Sequence, residues 1–321
     1  MTCENIDGQC SSSWCDCDYQ RRKRANENTM SLTDTNRPQQ TAGSGLDDAS
    51  CWALPVQRDF FSTIEGERLV CWFSCGVTSA VACKIALAEN AGGREVVIAY
   101  CSTGWATKEN GWKGEHIDSL RFLKECEEWF NHPITILKHP KYETPDDVIE
   151  GDRYLNGPDG ARCTKLLKIQ ARLKFQRVET DIQVFGFDSG EIDRAADFRQ
   201  AWPEVRLYTP LIKRDLKKPD CLAIMREVGI ELPAMYRMGY RNNNCIGCVK
   251  GGKGYWNKIR ADFPEAFTRR SAQERILGRS CIRGTFLDDL DPQAGRYEAE
   301  PDISCGGTCV QMLKEVEACQ L

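Results

Sequence analysis

The 321-residue chain has no long apolar run and no large excess of charge of one sign. No stretch holds 18 or more apolar residues, which argues against a membrane-spanning helix. Because the net charge is only −4, no global basic field is available to recruit nucleic acid or an anionic membrane. The first residues also lack the charged start and apolar core of a secretory signal. We therefore expect a cytoplasmic protein with no membrane partner.

Two common phosphate-binding motifs are absent as well. The turn that follows the first apolar strand reads Ser74-Cys75-Gly76-Val77-Thr78-Ser79, without the Gly-Lys-Ser/Thr of a P-loop or the three spaced glycines of a dinucleotide fold. What is present is a strand, a small-residue turn and a helix start. The unpaired N–H groups and the positive dipole end of such a helix suit a phosphate or pyrophosphate. Because these turns are common in α/β proteins, the turn alone leaves open that it binds nothing.

The chain divides into three segments by composition. Residues 1–66 form a polar arm that is predicted to be disordered, residues 67–230 alternate strand and helix patterns, and residues 231–321 are irregular and rich in cysteine. Repeated βα units predict an α/β fold with a mainly parallel, doubly wound sheet covered on both faces. Strands are predicted over 69–73, 95–101, 134–137, 181–185 and 207–211, and helices over 78–90, 115–130, 163–176, 217–228 and about 255–260.

Ligands of open parallel sheets bind beyond the carboxyl ends of the strands. The Ser74 turn, the loop with Thr103 and Gly104, and the loop that begins at Gly186 each follow a predicted strand, so we expect the three loops to line one crevice. Lysines and an arginine recur at spacings of three and four on the predicted 163–176 helix and share one face. That face is either solvated or a receptor for phosphate or sulfate oxygens; its members are Lys165, Lys168 and Arg172.

Eighteen cysteines are many for a cytosolic chain. Some lie in strand-like or helix-like patterns and are expected to be buried as small apolar residues. The others cluster: Cys245 and Cys248 form a CxxC turn that suits a metal or a redox dithiol, with a structural zinc site as the alternative. Cys163 begins a basic helix, where a thiolate is stabilised. The patterned cysteines are Cys71, Cys83, Cys101, Cys126 and Cys221, and a glycine-containing tail carries Cys305 and Cys309 as a nucleophile, a last ligand or an inert end.

From about residue 68 to 309 the chain resembles the phosphoadenosine phosphosulfate (PAPS) reductase family of the adenine-nucleotide alpha-hydrolase superfamily, in particular its phage and prophage members. The 74–79 turn resembles the SGGxxS pyrophosphate loop, and the run 232–248 resembles the family's Leu-Tyr…Gly-Tyr…Gly-Cys…Cys segment. Thr209-Pro210-Leu211-Ile212 resembles a Pro-Leu element that follows a strand. The chain departs from the family where Cys75 replaces a glycine and where Ser102 replaces an aspartate.

The resemblance implies an enzyme that reduces PAPS or adenosine phosphosulfate (APS) to sulfite. Lys168 and Arg172 would hold the sulfate, Cys305 would attack sulfur, and a thioredoxin- or glutaredoxin-type dithiol would be the reductant. Iron–sulfur members imply a 4Fe–4S cluster on Cys163, Cys245 and Cys248. Its fourth ligand would be Cys309, with Cys305 and Cys281 as alternatives, or the fourth iron would be left free to hold sulfide, as in ATP-dependent thiolation enzymes. The implied nucleotide site comprises Ser74, Cys75, Gly76, Val77, Thr78, Ser79, Thr103, Gly104 and Gly186.

Two other functions stay open. An ATP-pyrophosphatase-type sulfurtransferase would bind ATP with Mg²⁺ on the same turn and thiolate a nucleic acid or a small molecule. A non-catalytic nucleotide- or zinc-binding protein would keep the fold and lack the chemistry. The sequence leaves a homodimer open in all three cases.

Overall fold

The computed structural model describes residues 66–90, 93–157 and 160–303. Strands and helices alternate over most of this range, as the βα pattern predicts. In chain order the elements are β1 (Arg68–Phe73), α1 (Val77–Glu89), β2 (Glu95–Cys101), β3 (Trp105–Ala106), β4 (Glu115–His116), α2 (Asp118–Phe130), β5 (Ile134–Leu137), α3 (Pro145–Asp152), β6 (Asn156–Gly157), β7 (Gly160–Ala161), a π-helix (Thr164–Gln170), α4 (Ala171–Phe175), β8 (Asp181–Val184), α5 (Ile192–Ala201), β9 (Arg206–Tyr208), α6 (Pro210–Lys213), α7 (Lys218–Glu227), α8 (Ala234–Arg237), α9 (Lys253–Asp262) and α10 (Pro264–Leu277).

The central sheet has five parallel strands in the order β5-β2-β1-β8-β9. From β1 the chain first adds β2 and β5 on one side and later adds β8 and β9 on the other. The strand order therefore reverses between β1 and β8, and a ligand crevice is expected beyond the carboxyl ends of these two strands. The prediction of a mainly parallel α/β sheet is confirmed.

Helices and their loops cover both faces of the sheet. On one face, β1 side chains such as Leu69 and Phe73 form a buried core with α1, α2 and α7. On the other face, Val70 and Trp72 pack against Phe175 of α4. Because all six β1 residues are buried, the five that follow Arg68 form a continuous apolar run rather than an alternating one.

Several predicted boundaries differ from those observed. The helix predicted from residue 115 begins at Asp118, because Glu115 and His116 pair with Trp105 and Ala106 as a two-residue ladder. The edge strand predicted over 207–211 ends at Tyr208, because Pro210 starts a short helix. The helix predicted over 163–176 is a π-helix that continues into α4.

Among the helices of eight or more residues in the described ranges, three have no counterpart among the predicted elements: α3, α5 and α10. In α10 the buried side chains include Arg270, Gln273 and Glu274 as well as apolar residues, so its inward face does not show an apolar period. None of the helices in the described ranges is long and apolar enough to cross a bilayer.

Candidate nucleotide cleft and cysteine cavity

A cleft of about 620 Å³ opens beyond the carboxyl ends of β1 and β8. This volume is in the range of small-molecule sites, and the position is the expected one. The 74–79 turn and the loop of Gly186, Phe187 and Asp188 form two of its walls. Lys168 and Arg172 line it from the π-helix and α4. Its other wall carries the segment 242–244 together with Lys217, Lys218, Tyr236, Asp302 and Ile303.

The 74–79 turn is closed by its own hydroxyl groups. Ser79 Oγ accepts the backbone N–H of Ser74 at 3.0 Å and lies 2.9 Å from the carbonyl oxygen of Gly76. Helix α1 begins after Gly76, and within the described part of the chain no side chain caps its first turn. Since Gly76 and Thr78 line the cleft, the helix N-terminus is available to an anion there.

Two residues of this turn contribute no side chain to the cleft. Cys75 and Val77 are fully buried in the core between the sheet and α1. Burial raises the pKa of the Cys75 thiol, and the charge of Glu115 raises it further, so the side chain is a neutral thiol that points inward. The predicted nucleotide site is therefore corrected: Ser74, Gly76, Thr78 and Ser79 line the cleft, whereas Cys75 and Val77 support the turn from beneath.

Arg172 is a buried cation beside the cleft. Only 6% of it is exposed, and its guanidinium lies 5.4, 5.3 and 5.6 Å from the ring centroids of Phe185, Phe198 and Trp202. Its Nε has no hydrogen-bond partner among the residues that the structure describes. Burial lowers the pKa of Arg172 to about 10, so the group is still charged at neutral pH. Buried charges are normally paired, so an anion in the cleft would supply the partner that Nε lacks among the described residues.

Lys168 connects the cleft to a second cavity, since it lines both. Its Nζ lies 3.5 Å from Oε1 of Glu115, which is buried and accepts hydrogen bonds from the Tyr100 and Thr103 hydroxyls at 3.0 Å each. Lys165 is also buried and does not line the cleft. The alternative of a solvated stripe on this helix is therefore wrong.

Cys101 is a cleft residue that was expected to be an inert buried thiol. It ends β2, lines the cleft and is partly exposed. Burial raises its pKa to about 11, although the positive charges of Lys168 and Arg172 act in the opposite direction. Its place at the carboxyl end of a strand was the signal that could have identified it. The other four patterned cysteines, Cys71, Cys83, Cys126 and Cys221, are buried as predicted.

The three strand-end loops do not share one crevice. Thr103 lines the second cavity instead of the cleft. Gly104, with φ +76, packs so closely on the next loop that a Cβ would lie 2.7 Å from Thr144 Cγ2. Gly186 does line the cleft, but a Cβ there would lie 2.7 Å from the backbone of Ser79. Gly186 is thus required for the close approach of the β8 loop to α1.

Three predicted metal ligands line the second cavity. Cys163, Cys245 and Cys248 line a space of about 20 Å³ that we call the cysteine cavity. Thr103 Oγ1 lies 3.2 Å from Sγ of Cys245, and Arg270 forms another wall. In the ranges described, no three His, Cys, Asp or Glu side chains are grouped so as to hold a metal ion. Cys305 and Cys309 lie outside the described residues.

No protein-family model matches the chain, and no curated protein matches it either. The fold and the geometry define an α/β protein with a cleft at the point where the strand order of its parallel sheet reverses. A cavity lined by three cysteines adjoins that cleft through Lys168.

Proposed function

We propose that this protein is a PAPS reductase-like enzyme that binds an adenine nucleotide in the cleft and reduces a sulfonucleotide, PAPS or APS, to sulfite. The observation that carries the proposal is the buried Arg172 guanidinium, whose Nε has no partner in the described chain. It lines the same cleft as the uncapped N-terminus of α1. One cleft thus offers two separate receptors for anionic groups, as a nucleotide with a sulfuryl end requires.

In the proposed complex, the turn of Ser74, Gly76, Thr78 and Ser79 binds a phosphate. The sulfate end meets Lys168 and Arg172. Arg172 suits this role because its planar fork matches a tetrahedral oxyanion and its Nε has no hydrogen-bond partner within the described residues. Lys168 differs, since Glu115 already balances part of its charge.

The proposed chemistry is a thiolate attack on sulfur. The Cys305 thiolate forms an S–S bond to the sulfuryl group while the S–O bond to the phosphate breaks and the nucleotide leaves. A thioredoxin- or glutaredoxin-type dithiol then supplies two electrons, releasing sulfite and the free thiol as the dithiol becomes a disulfide. Asp302 and Ile303 line the cleft. Cys305 follows Ile303 by two residues, a reach of about 7 Å, which supports its assignment as the nucleophile.

We further propose that the cysteine cavity holds a 4Fe–4S cluster. Three thiols line one space, and thiolates are the ligands of such clusters, but in the described ranges these side chains are not grouped closely enough to hold a metal as they stand. The orphaned Nε of buried Arg270 at the same cavity fits an anionic group. Because about 20 Å³ is room for one or two waters, a cluster would require the thiol side chains to rotate outward. When bound, the cluster would supply electrostatic stabilisation or a sulfur-binding iron beside Lys168.

An ATP-dependent sulfurtransferase is the second candidate. The observation that favours it is the position of Lys168, which lines both the cleft and the cysteine cavity. A sulfur held in the cavity would lie next to an acceptor activated in the cleft. Mg²⁺ would then accompany ATP, and the acceptor would be a nucleic acid or a small molecule.

Substrate turnover separates the two candidates. We expect anaerobically purified full-length protein to release sulfite from PAPS or APS with a thioredoxin-type dithiol. Cys305→Ser should abolish this release while it leaves nucleotide affinity unchanged. Cys126→Ser, a change at a buried core thiol, is the matched control and should retain activity.

Pyrophosphate release from ATP that requires an added acceptor, without sulfite release from either sulfonucleotide, would overturn the reductase in favour of the sulfurtransferase. Tight nucleotide binding with no turnover of any of the three would indicate a non-catalytic protein.

A further inference from the structure

The wall of the cleft at the start of α7 carries a carboxylate. Asp302 lines the cleft together with Lys218, the first residue of α7. The Asp302 oxygens lie 3.4 Å from Nζ of Lys218 and 3.2 Å from Nε of Arg241. A helix N-terminus with a lysine would otherwise be a third place for a ligand anion in the cleft. The negative charge of Asp302 already balances that place.

The chain holds Asp302 at this wall from both sides. Nη2 of Arg241 donates to the two carbonyl oxygens just before it, in residues 300–301. Nδ2 of Asn244 donates to the carbonyl oxygen of Ile303 at 3.2 Å. Because the backbone is fixed on both sides, a ligand that separates the carboxylate from its lysine partner would still meet its charge at the wall.

The other cations of the cleft leave two places for ligand anions. Arg194 pairs with Glu191, and Lys217 is exposed to solvent, which weakens its attraction for an anion. In the proposed complex, Lys168 and Arg172 meet the sulfate and the turn after β1 binds the phosphate. These receptors match the two anionic groups at the 5′ end of a sulfonucleotide.

Asn243 adds a hydrogen-bond acceptor to the same wall. It is 7% exposed and lines the cleft, and its Nδ2 donates to the carbonyl oxygen of Cys75 and to Ser119 Oγ, at 2.9 Å each. Because a carbonyl oxygen only accepts hydrogen bonds, the amide nitrogen must face Cys75. Oδ1 is then the remaining group, and it has no partner in the described chain. A ligand hydroxyl can donate to this oxygen, whereas an ionised phosphate cannot.

We propose that Asp302 is a specificity-determining residue that selects adenine nucleotides with an unsubstituted ribose 3′-hydroxyl, and therefore APS rather than PAPS; this rests on nucleotide binding in the cleft as part of the proposed function. PAPS differs from APS by a 3′-phosphate, and such a group carries about −1.5 to −2 charges at pH 7. A fixed carboxylate repels that group and accepts from a hydroxyl, so the selection works chiefly by repulsion of the wrong ligand.

The test compares two stable nucleotides that differ only in the 3′-phosphate, AMP and 3′-phosphoadenosine 5′-phosphate, by calorimetry on the full-length protein. We expect wild-type protein to bind AMP at least about tenfold more tightly, since juxtaposed like charges are costly. Asp302→Asn keeps the size of the side chain and removes its charge. In this variant the affinity for the 3′-phosphate nucleotide should rise at least about tenfold, because Lys218 and Arg241 can then pair with the phosphate, while AMP affinity stays within about threefold.

Two further variants separate charge from shape. Asp302→Glu keeps the charge and should keep the preference for AMP, whereas Lys218→Gln removes a cation from this wall and should enlarge it. Asp288→Asn is the matched control, because its side chain is 46% exposed against 49% for Asp302 and also pairs with an arginine. It lies outside the described cleft lining and should leave both affinities unchanged.

Wild-type protein that binds 3′-phosphoadenosine 5′-phosphate as tightly as AMP would overturn the selectivity, and so would an unchanged affinity ratio in Asp302→Asn. In both cases the cleft remains a nucleotide site. Wild-type protein that binds neither nucleotide would overturn the nucleotide site itself, which is a different result. Raising the salt concentration from about 0.05 M to about 0.5 M should shrink the wild-type preference, because the charge of a half-exposed carboxylate is screened. A preference that salt leaves unchanged would be steric and would contradict the role of Asp302.

Discussion

At the scale of single residues, the cleft is built on conformations that cost free energy. Cys75 has φ +54, a region that favours glycine and costs a non-glycine residue on the order of 1–2 kcal/mol. Its buried thiol offsets part of this cost through packing. The Cys75 side chain therefore points into the core. As a result, the backbone of Gly76 remains accessible from the cleft.

Gly76 should tolerate alanine structurally but not functionally. Its φ of −107 suits any residue, and a Cβ would come no closer than 3.5 Å to Ser74 Oγ and Tyr236 Oη. The melting temperature of Gly76→Ala should stay within about 3 °C of wild type, whereas affinity for APS by calorimetry should fall about tenfold or more, because the methyl group enters the phosphate approach.

Gly186→Ala is the contrasting variant, since its Cβ would lie 2.7 Å from the Ser79 backbone. Its main effect should be a lower melting temperature than that of wild type. Unchanged APS affinity in Gly76→Ala would remove this turn from the binding site.

Arg172→Met should weaken the ligand complex without destabilising the free protein. The change removes a buried cation whose Nε has no partner in the described chain and keeps an apolar side chain among Phe185, Phe198 and Trp202. We expect an affinity loss of about 10- to 100-fold for APS, the size of a hydrogen bond to a charged group. The melting temperature of the free protein should not fall.

Arg226→Met, at an exposed position on α7, serves as the control. A lower melting temperature with normal affinity in Arg172→Met would make Arg172 a purely structural residue.

At the scale of elements, the π-helix and α10 position the two cavities. The π-helix starts next to Cys163 at the cysteine cavity, carries Lys168 between the cavities, and continues into α4 with Arg172 at the cleft. Its i→i+5 hydrogen bonds widen each turn, a feature often found at functional sites. Helix α10 supports the cysteine cavity from behind through ion pairs with α3.

Asp146→Asn should separate α3 from α10. Asp146 is 1% exposed and accepts from Arg269 and Gln273 as well as pairing with Arg270. The variant leaves two arginines without their carboxylate, which should cost about 3–5 kcal/mol of unfolding free energy at pH 7. Asp197→Asn, at an exposed site on α5, is the control.

This loss should depend on pH in a defined direction. Burial raises the pKa of Asp146, but Arg270 and Arg269 outweigh it, and the net pKa lies below its usual value. The stabilisation is therefore present above the unfolded pKa of about 4 and is lost as the pH falls through the lower folded value. Urea unfolding at pH 7 and at successively lower pH should show the variant and wild type converging; a constant difference would contradict the ionic origin.

The sequence predicts a helix or strand correctly where the residues of that element determine its structure. The prediction fails where contacts with distant residues determine it. β2 and β5 are observed with the predicted bounds, because short apolar runs between turns favour strands. Helix α10 was not predicted, since its buried Arg270 is stabilised by Asp146, more than a hundred residues away. For the same reason, spacing grouped Lys165 with Lys168 and Arg172 but could not show that Lys165 turns away from the cleft.

At the scale of the whole described molecule, the C-terminal segment contributes residues to the cleft that opens at the ends of the sheet strands. Asn243 reaches back to the first turn, where its Nδ2 donates to the carbonyl oxygen of Cys75 at 2.9 Å, and its Oδ1 has no partner in the described ranges. Asp302 pairs with Arg241 and Lys218, which places Ile303 at the cleft. The chain thus leaves the cleft immediately before the segment that carries Cys305 and Cys309.

Truncation after Ile303 should therefore separate binding from catalysis. The shortened chain keeps the sheet, the cleft, Asp302 and the three cysteines of the cysteine cavity, so we expect its APS affinity and its iron content to remain within about threefold of wild type, a difference under 1 kcal/mol. It lacks Cys305, and sulfite release should be abolished. Loss of iron on truncation would instead place a ligand in the 304–321 tail, and retained sulfite release would move the nucleophile into the described chain, where Cys101 already lines the cleft.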